Sequence, residues 1–222
     1  MTAATGGPAG SAWSTLEEPW QAAISQAWES WCCGSAGVGA CLTDASGVIV
    51  ARGRNRMGEP AQLLGRASGT IMAHAEMDLL SQVPLGTRPS GILYTTFEPC
   101  LMCASTMLVY NVKEMRYAAA DPVFDGLHDW FATYPFTAER APKRSCLGGP
   151  VGAFCHVLHL SWLLTYPVPD RVISPHRRLA PGHLACAADV VDEHRLRDLA
   201  EEGAGAEDAM AELWPSLVRL AR

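Results

Sequence analysis

The sequence predicts an α/β protein, and three observations support this prediction. Short β-prone runs at 36–43, 48–53 and 91–97 alternate with segments of helical periodicity. The residues Asp, Ala, Ser and Gly at 44–47 are typical of a turn, so the first two runs are predicted to form a β-hairpin. With 222 residues and 49% hydrophobic content, the chain is long and apolar enough to bury a full core.

The N-terminal part is predicted to change from disorder to helix. Residues 1–14 lack apolar periodicity, and we expect them to be disordered. A helix is expected to begin at Thr15, because Thr15 and Glu18 have the spacing of a capping box. Tryptophans recur at helical spacing after this point, which indicates a core-facing side, and Gly34 is expected to end the helix.

The middle of the chain continues the alternation of strands and helices. After the hairpin a loop is expected to run to about Gly69, followed by a helix at 74–82 and a strand at 91–97. A proline fits the first turn of a helix, so the chain after Pro99 is predicted to be helical to residue 110. A fourth strand is predicted at 115–119.

The C-terminal part is predicted to be mostly helical. Residues 143–150 have the composition of a loop, and the apolar run 151–165 fits either a helix or a final strand. The proline- and arginine-rich segment 167–181 predicts an extended connector. Two amphipathic helices are expected after it, at 189–202 and 206–222, and the second is expected to be interrupted at Pro215.

One histidine and two cysteines have the chemistry of a catalytic zinc site. His74, Cys100 and Cys103 offer an imidazole and two thiolates, which suit tetrahedral Zn²⁺, and three protein ligands leave a fourth position open for water. Glu76 lies two residues beyond the histidine, where it is better placed to exchange protons than to act as a fourth ligand. A closed structural zinc site is the alternative, but it requires a fourth Cys or His beside these three.

The order of these residues, H-x-E followed by P-C-x-x-C, resembles the signature of the zinc-dependent cytidine deaminase superfamily. The resemblance implies a three-layer α-β-α fold with a mixed sheet of about five strands and extra C-terminal helices. It implies Zn²⁺ as cofactor and Glu76 as the catalytic proton carrier. We therefore expect a disordered N-terminus at 1–14, a zinc deaminase domain at 15–166 and a helical extension at 167–222.

The form of the motif bears on the substrate. Glu98 to Cys103 reads E-P-C-L-M-C, which is similar to the E-P-C-x-M-C of guanine deaminases and tRNA adenosine deaminases. The resemblance also suggests that an asparagine just past the second strand holds the substrate, although Asn55 also suits a turn. The candidate substrate-binding residues are Asn55, Ala75, Glu98, Pro99, Asp121 and Phe124.

These features predict a zinc-dependent aminohydrolase. It would convert an exocyclic amine of a purine base or nucleoside, similar to guanine, guanosine or adenosine, to a carbonyl with release of ammonia. Four alternatives stay open: a cytidine or dCMP deaminase, a tRNA adenosine deaminase, a deaminase of a specialised metabolite, and a catalytically silent subunit with the same fold. The intact Glu76 argues against a silent subunit. The resemblance also implies a homodimer.

Composition favours a small molecule over nucleic acid as the partner. The net charge is −6, whereas proteins that bind a phosphate backbone usually carry a basic surface. Arg52, Arg54, Arg56 and Arg66 could form a local basic face, or they could belong to a solvated strand edge and loop.

The chain is expected to be soluble, cytoplasmic and without contact to a membrane. It has no run of about eighteen apolar residues, and its start lacks the order of a signal peptide. The six cysteines outside the motif are expected to be buried free thiols. A second metal site at Cys155, His156 and His159 is conceivable, but burial in a helix or strand explains these residues more simply.

Overall fold

The computed structural model describes residues 9–60, 65–84, 86–87 and 89–222. In this part of the chain the strands are β1 (Gly39–Thr43), β2 (Ile49–Arg54), β3 (Ile92–Phe97), β4 (Glu114–Ala119) and β5 (Lys143–Cys146). The α-helices of the same residues are α1 (Ala9–Ser14), α2 (Glu18–Cys32), α3 (Ala75–Leu80), α4 (Leu101–Tyr110), α5 (Leu127–Phe131), α6 (Pro135–Arg140), α7 (Gly149–Leu163), α8 (Asp170–Leu179), α9 (Pro181–Asp192), α10 (Arg195–Glu201) and α11 (Ala206–Leu220).

The described strands form one mixed five-stranded sheet in the order β2-β1-β3-β4-β5. The hairpin β1-β2 is antiparallel, β1 also pairs antiparallel with β3, and β3, β4 and β5 run parallel. Parallel neighbours require a crossover, and α4 makes it between β3 and β4. The predicted mixed sheet of about five strands is confirmed.

Two glycines show that helices cover both faces of the sheet. A Cβ on Gly39 would lie 2.2 Å from the backbone oxygen of Ala23 in α2, so Gly39 faces α2. Ala40, the next residue, points to the opposite face and pairs with Gly53. A Cβ on Gly53 would lie 2.4 Å from the backbone oxygen of Ala75 in α3. The sheet therefore lies between α2 and α3, which confirms the three-layer α-β-α arrangement.

The C-terminal helices share the core of the sheet. Helix α7 is buried along almost its whole length, and α9 and α11 pack against it. The indole nitrogen of Trp28 in α2 donates a 2.7 Å hydrogen bond to the backbone oxygen of Ala204, just before α11. One cluster of buried apolar side chains includes Trp20 of α2 and Leu217 of α11. The division into 15–166 and 167–222 remains a proposal.

The N-terminal predictions need correction. Residues 9–14 form α1, which packs against α11 and buries Ala12, so a distant part of the chain supplies the apolar surface that makes this segment helical. Residues 1–8 of the predicted disordered segment lie outside the described residues. Helix α2 begins at Glu18 with Glu17 as its N-cap, and the hydroxyl of Thr15 instead donates to the backbone oxygen of Ala12.

Four C-terminal predictions are also wrong. The single helix expected at 189–202 is divided, because α9 ends at Asp192, His194 adopts a left-handed conformation and α10 begins at Arg195. The sequence predicts a loop at 143–150, but Lys143–Cys146 forms β5, a short and polar edge strand of the kind that hydrophobic patterning does not detect. The connector expected at 167–181 contains α8, which packs against α9, with Pro169 at its N-cap and Pro175 inside the helix. Helix α11 continues through Pro215, since residues on both sides of the proline are buried against α7.

The run at 151–165 is helical over most of its length, since α7 continues to Leu163. All eight cysteines are free. The prediction that the six outside the motif are buried holds for Cys41 and Cys155 but not for Cys32, Cys33 and Cys146, which are exposed. None of the helices in the described ranges combines the length and the apolar character that crossing a bilayer requires.

Candidate active site

The starts of two helices bring the three predicted metal ligands together. His74 is the N-cap of α3 and Cys100 is the N-cap of α4, with Cys103 in the first turn of α4. The Nδ1 atom of His74 lies 3.6 Å from Sγ of Cys100 and 3.5 Å from Sγ of Cys103. The three ligand atoms lie within 4.8 Å of one another.

This geometry fits zinc. A tetrahedral Zn²⁺ with ordinary Zn–S and Zn–N bond lengths separates a sulfur ligand from a nitrogen ligand by about 3.6 Å. The two distances from His74 to the cysteines match that value. Among the described residues no further histidine, cysteine or carboxylate belongs to the cluster, which leaves room for a non-protein ligand.

The pKa values of the two cysteines also bear on cation binding. The hydrogen bond from Cys103 lowers the pKa of Cys100 to about 4, with a further contribution from His74. The pKa of Cys103 is raised well above its ordinary value by the same hydrogen bond and by burial. The two thiols therefore differ in acidity, and a bound cation would stabilise both as thiolates.

Glu76 is held beside these ligands by β3. Its side chain is only 3% exposed, and burial raises its pKa above the ordinary value. Oε1 accepts a 2.9 Å hydrogen bond from the hydroxyl of Thr95, and Oε2 lies 3.2 Å from Sγ of Cys103. Thr95 has no place in the sequence motif; its only signal there is a polar residue within a β-prone run.

A cavity of about 720 Å³ opens onto the cluster. It is lined by residues from the chain before β1, the loop after β2, the starts of α3 and α4, the loop after β4, and helices α7 and α8. Of the predicted substrate-binding residues, the structure places four in this wall: Asn55, Glu98, Asp121 and Phe124. Ala75 is completely buried in the core, and Pro99 lines a separate small pocket beside α4.

The sequence leaves two roles open for Asn55, substrate binding and turn formation, and the structure is compatible with both. Its Oδ1 accepts a 2.9 Å hydrogen bond from the backbone N–H of Met57, which is turn geometry. The residue nevertheless borders the cavity that contains His74 and Glu76.

Glu98, which follows β3, and Asp121, which follows β4, connect the ends of the parallel strands. Glu98 forms an ion pair with Arg144 of β5 and accepts a 3.0 Å hydrogen bond from the backbone N–H of Asp121. The carboxylate of Asp121 accepts from the N–H of Val123 at 2.9 Å, and burial raises the pKa of Asp121 to about 7. Both residues therefore line the cavity and also hold its wall in place through these hydrogen bonds and the ion pair.

The matches to known proteins point to the same site. Residues 14–119 match the model of the cytidine and deoxycytidylate deaminase zinc-binding region. This region is similar to the zinc-binding region of the cytidine deaminase superfamily. The cofactor of the deaminase region is zinc, and His74, Cys100 and Cys103 are the residues that could hold it.

Individual relatives are similar to the deaminase region over part of their length. A tRNA-specific adenosine deaminase of Agrobacterium fabrum is 33% identical over 89 residues, which are 38% of this chain and 53% of that protein. A cytosine deaminase of Candida albicans is 28% identical over 98 residues, 43% of this chain and 60% of that protein. The chain spans 14% to 60% of the length of the curated relatives that it matches.

Among solved structures, a guanine deaminase from Nitrosomonas europaea aligns with 18% sequence identity and a TM-score of 0.46. The alignment covers 58% of this chain and 75% of the guanine deaminase.

The second candidate metal site is not formed. In the described part of the chain, Cys155, His156 and His159 do not come together as a metal cluster, and Cys155 lies in the core. His156 instead contacts His176 of α8, with Nε2 and Nδ1 3.1 Å apart.

Three of the four clustered arginines form ion pairs within the protein. They link the end of β2 and the following loop to α2 and α3. The pairs are Arg54 with Glu29 and Glu59, Arg56 with Glu59 and Asp78, and Arg66 with Asp78. Because carboxylates already neutralise these guanidinium groups, the arrangement supports a structural role over a nucleic-acid contact.

Proposed function

We propose that this protein is a zinc-dependent aminohydrolase that replaces an exocyclic amine of a purine base or nucleoside with a carbonyl. The observation that supports this proposal best is the carboxylate of Glu76, held by Thr95 beside a three-ligand cluster that opens into a cavity. A closed structural site would have a fourth protein ligand, and no such ligand belongs to the cluster among the described residues.

The reaction consumes one water and releases one ammonia. Zinc, when bound, supplies a Lewis acid that activates water for attack at neutral pH. Glu76 takes a proton from the water and gives it to the ring nitrogen beside the target carbon, so the carbon becomes electrophilic. Glu76 then carries the second proton to the departing amine, and the carbon–nitrogen bond breaks as the carbonyl forms. The raised pKa of Glu76 suits a group that must both accept and donate a proton.

The cavity supports a small substrate. Its volume of about 720 Å³ lies in the range of small-molecule sites, and most of its wall is apolar. No lysine or arginine is present among the described residues that line it, although phosphate groups are usually bound by such residues. A free base or nucleoside therefore fits better than a nucleotide. The segment 98–103 resembles the E-P-C-x-M-C motif of guanine deaminases and tRNA adenosine deaminases. This resemblance favours a purine substrate.

A tRNA substrate is the second candidate. It is supported by the similarity to tRNA-specific adenosine deaminases, in which the substrate is a macromolecule. The internal ion pairs of Arg54, Arg56 and Arg66 and the net charge of −6 argue against an extended phosphate contact.

The test is an ammonia-release assay on zinc-loaded protein. The substrates are guanine, guanosine, adenosine, cytidine, dCMP and a tRNA anticodon stem-loop, with zinc content measured on the same samples. The proposal expects release from a purine base or nucleoside, and none from Glu76→Gln protein. Release from the stem-loop alone would replace the small-molecule proposal with the tRNA one. Full zinc content without release from any substrate would favour a silent subunit.

We also propose that the protein is a homodimer whose interface borders the cavity. Ile71 and Leu101 line the cavity, yet their side chains are 77% and 43% exposed. Apolar residues at the mouth of a site are typical of a surface that a second chain covers. Light scattering at micromolar concentration should give twice the mass of one chain, and a monomer would contradict the proposal.

A further inference from the structure

His159 belongs to a part of the chain beyond the matched deaminase region. It lies in α7, and the five cavity-lining residues of α7 and α8 are His159, Trp162, Leu163, Val172 and His176. The region 14–119 supplies the zinc ligands and Glu76, whereas these two helices supply another wall of the same cavity.

The ring of His159 is fixed in position. It stacks on Phe97, with ring centroids 4.4 Å apart and an angle of 29° between the planes. Phe97 ends β3, the strand that also carries Thr95 and leads to Cys100. The ring therefore keeps a constant orientation relative to the zinc ligands and Glu76.

One of the two ring nitrogens of His159 is buried without a hydrogen-bond partner among the described residues. Nδ1 is buried and has no hydrogen-bond partner among the described residues, while the residue as a whole is partly exposed and borders the cavity. Burial, with the nearby His176 and His74, lowers the pKa of His159 to about 3, so the ring is neutral at pH 7 and carries one N–H. A buried lone pair without a partner costs less than a buried N–H without one. We therefore assign the proton to Nε2.

We propose that His159 is a substrate-binding residue that donates a hydrogen bond from Nε2 to an acceptor atom on an uncharged heterocycle in the cavity. This inference rests on the proposed function and extends it to the choice of substrate. A neutral imidazole can bind a carbonyl oxygen or a ring nitrogen, but it offers no charge to a phosphate.

The rest of the cavity favours the same kind of ligand. Glu76, Glu98 and Asp121 place carboxyl groups in its wall, and the described lining residues include no lysine or arginine. His176 is likewise kept neutral, because burial lowers its pKa to about 4. A phosphate group in this cavity would meet no lysine or arginine among the described lining residues, and nearby Arg144 is already paired with Glu98, so the site should discriminate against nucleotides.

The test measures binding without turnover. Calorimetry on zinc-loaded Glu76→Gln protein would compare guanine, adenine and cytosine with their nucleosides and nucleoside monophosphates. We expect at least one base or nucleoside to bind, and its monophosphate to bind at least tenfold more weakly. Adding His159→Phe, which keeps a ring against Phe97 but removes both nitrogens, should weaken binding of that compound at least about fivefold.

Two further variants separate hydrogen bonding from packing. His159→Gln places an amide near the position of Nε2 and should recover much of the affinity that His159→Phe loses. His194→Asn, which changes an exposed histidine between α9 and α10, should leave binding unchanged. In the variants with Glu76 intact, His159→Phe should raise KM much more than it lowers kcat, because the contact forms before the reaction.

The outcomes distinguish this inference from the proposed function. Unchanged affinity of His159→Phe, equal binding of a nucleoside and its monophosphate, or no binding by any of the nine compounds would each overturn the inference. Failure of the proposed function would instead appear as an absence of ammonia release from zinc-loaded protein with Glu76 and His159 both intact.

Discussion

The hydroxyl of Thr95 donates a 2.9 Å hydrogen bond to Oε1 of Glu76. Thr95 lies on β3 and Glu76 in the first turn of α3, and both side chains are almost completely buried. The bond fixes one carboxylate oxygen and leaves the other, Oε2, beside Cys103, one of the proposed zinc ligands. Thr95 is therefore a positioning residue for the proposed proton carrier.

Replacing Thr95 with valine should impair turnover while preserving the fold. The two side chains have nearly the same shape, but valine cannot donate to Glu76. A hydrogen bond to a charged group contributes about 1.5–3 kcal/mol, so kcat should fall about tenfold to a hundredfold. Steady-state kinetics and zinc content would be measured together, and zinc should remain bound.

Two controls accompany this variant. Thr95→Ser keeps the donor and should retain most of the activity. Thr96→Val removes a neighbouring buried hydroxyl that accepts from the N–H of Gly39 at 3.1 Å, and it should affect stability more than turnover. Wild-type kcat in Thr95→Val would exclude a positioning role for Thr95.

Glu76→Gln should bind zinc normally and lose most of its activity. The amide keeps the size of the side chain but cannot carry a proton between water, ring nitrogen and amine. General acid–base catalysis accounts for about 10²–10⁴-fold in rate, and kcat should fall by at least that range. Normal deamination by a variant with full zinc content would remove Glu76 from the mechanism.

Removal of one sulfur ligand should abolish zinc binding. Cys103 is completely buried between His74 and Glu76, so Cys103→Ser leaves a poor ligand where no other donor can replace it. Metal analysis should show the loss, and the melting temperature should no longer increase when zinc is added, because a ligand stabilises only the state that binds it. Cys33→Ser, at an exposed cysteine, is the matched control and should retain zinc. A zinc-loaded Cys103→Ser protein would contradict the ligand set.

The candidate zinc ligands and the positions of the first four strands along the chain could be predicted from the sequence because their signals are local. A histidine and a glutamate two residues apart, and cysteines at the start of a helix, carry their chemistry in short motifs. Thr95 and His159 could not be found in this way, since their roles come from contacts with residues 19 positions away, Glu76, and 62 positions away, Phe97.

The elements that the sequence missed share a physical cause. Strand β5 is stabilised by pairing with β4 rather than by its own apolar pattern, and α1 is stabilised by packing against α11. In α11 the proline suggests interruption, but burial of the residues on both sides of Pro215 outweighs the loss of one helical hydrogen bond.

Gly53→Ala should destabilise the part of the fold that carries Glu76. The added methyl would approach the backbone oxygen of Ala75 to 2.4 Å and the backbone nitrogen of Leu79 to 2.6 Å, so α3 would have to move away from β2. Overpacking of this kind costs about 1–3 kcal/mol in the free energy of unfolding, and activity should fall because α3 shifts. Gly10→Ala, where the nearest atom is a flexible Glu207 oxygen at 3.8 Å, should be tolerated. Equal stability of both variants by urea denaturation would contradict the tight contact between β2 and α3.

Acid should destabilise the protein through His156. Burial, with the neighbouring His183, His176 and His159, lowers the pKa of His156 from 6.5 to about 2 in the fold. The unfolded chain therefore binds a proton below pH 6.5 that the folded chain does not, and the free energy of unfolding falls as the pH falls from 6.5 towards 2.

The expected contribution of this one histidine is about 1.4 kcal/mol for each pH unit below its ordinary pKa. Urea denaturation of wild type and His156→Gln at pH 7.5 and 5.5 would measure it. The glutamine does not titrate, so its free energy of unfolding should fall by about 1 kcal/mol less over this interval than that of the wild type. Exposed His194 is the control, and His194→Asn should follow the wild-type pH dependence. Because zinc loss at low pH affects all three proteins alike, parallel curves for wild type and His156→Gln would show that His156 is not buried in its neutral form.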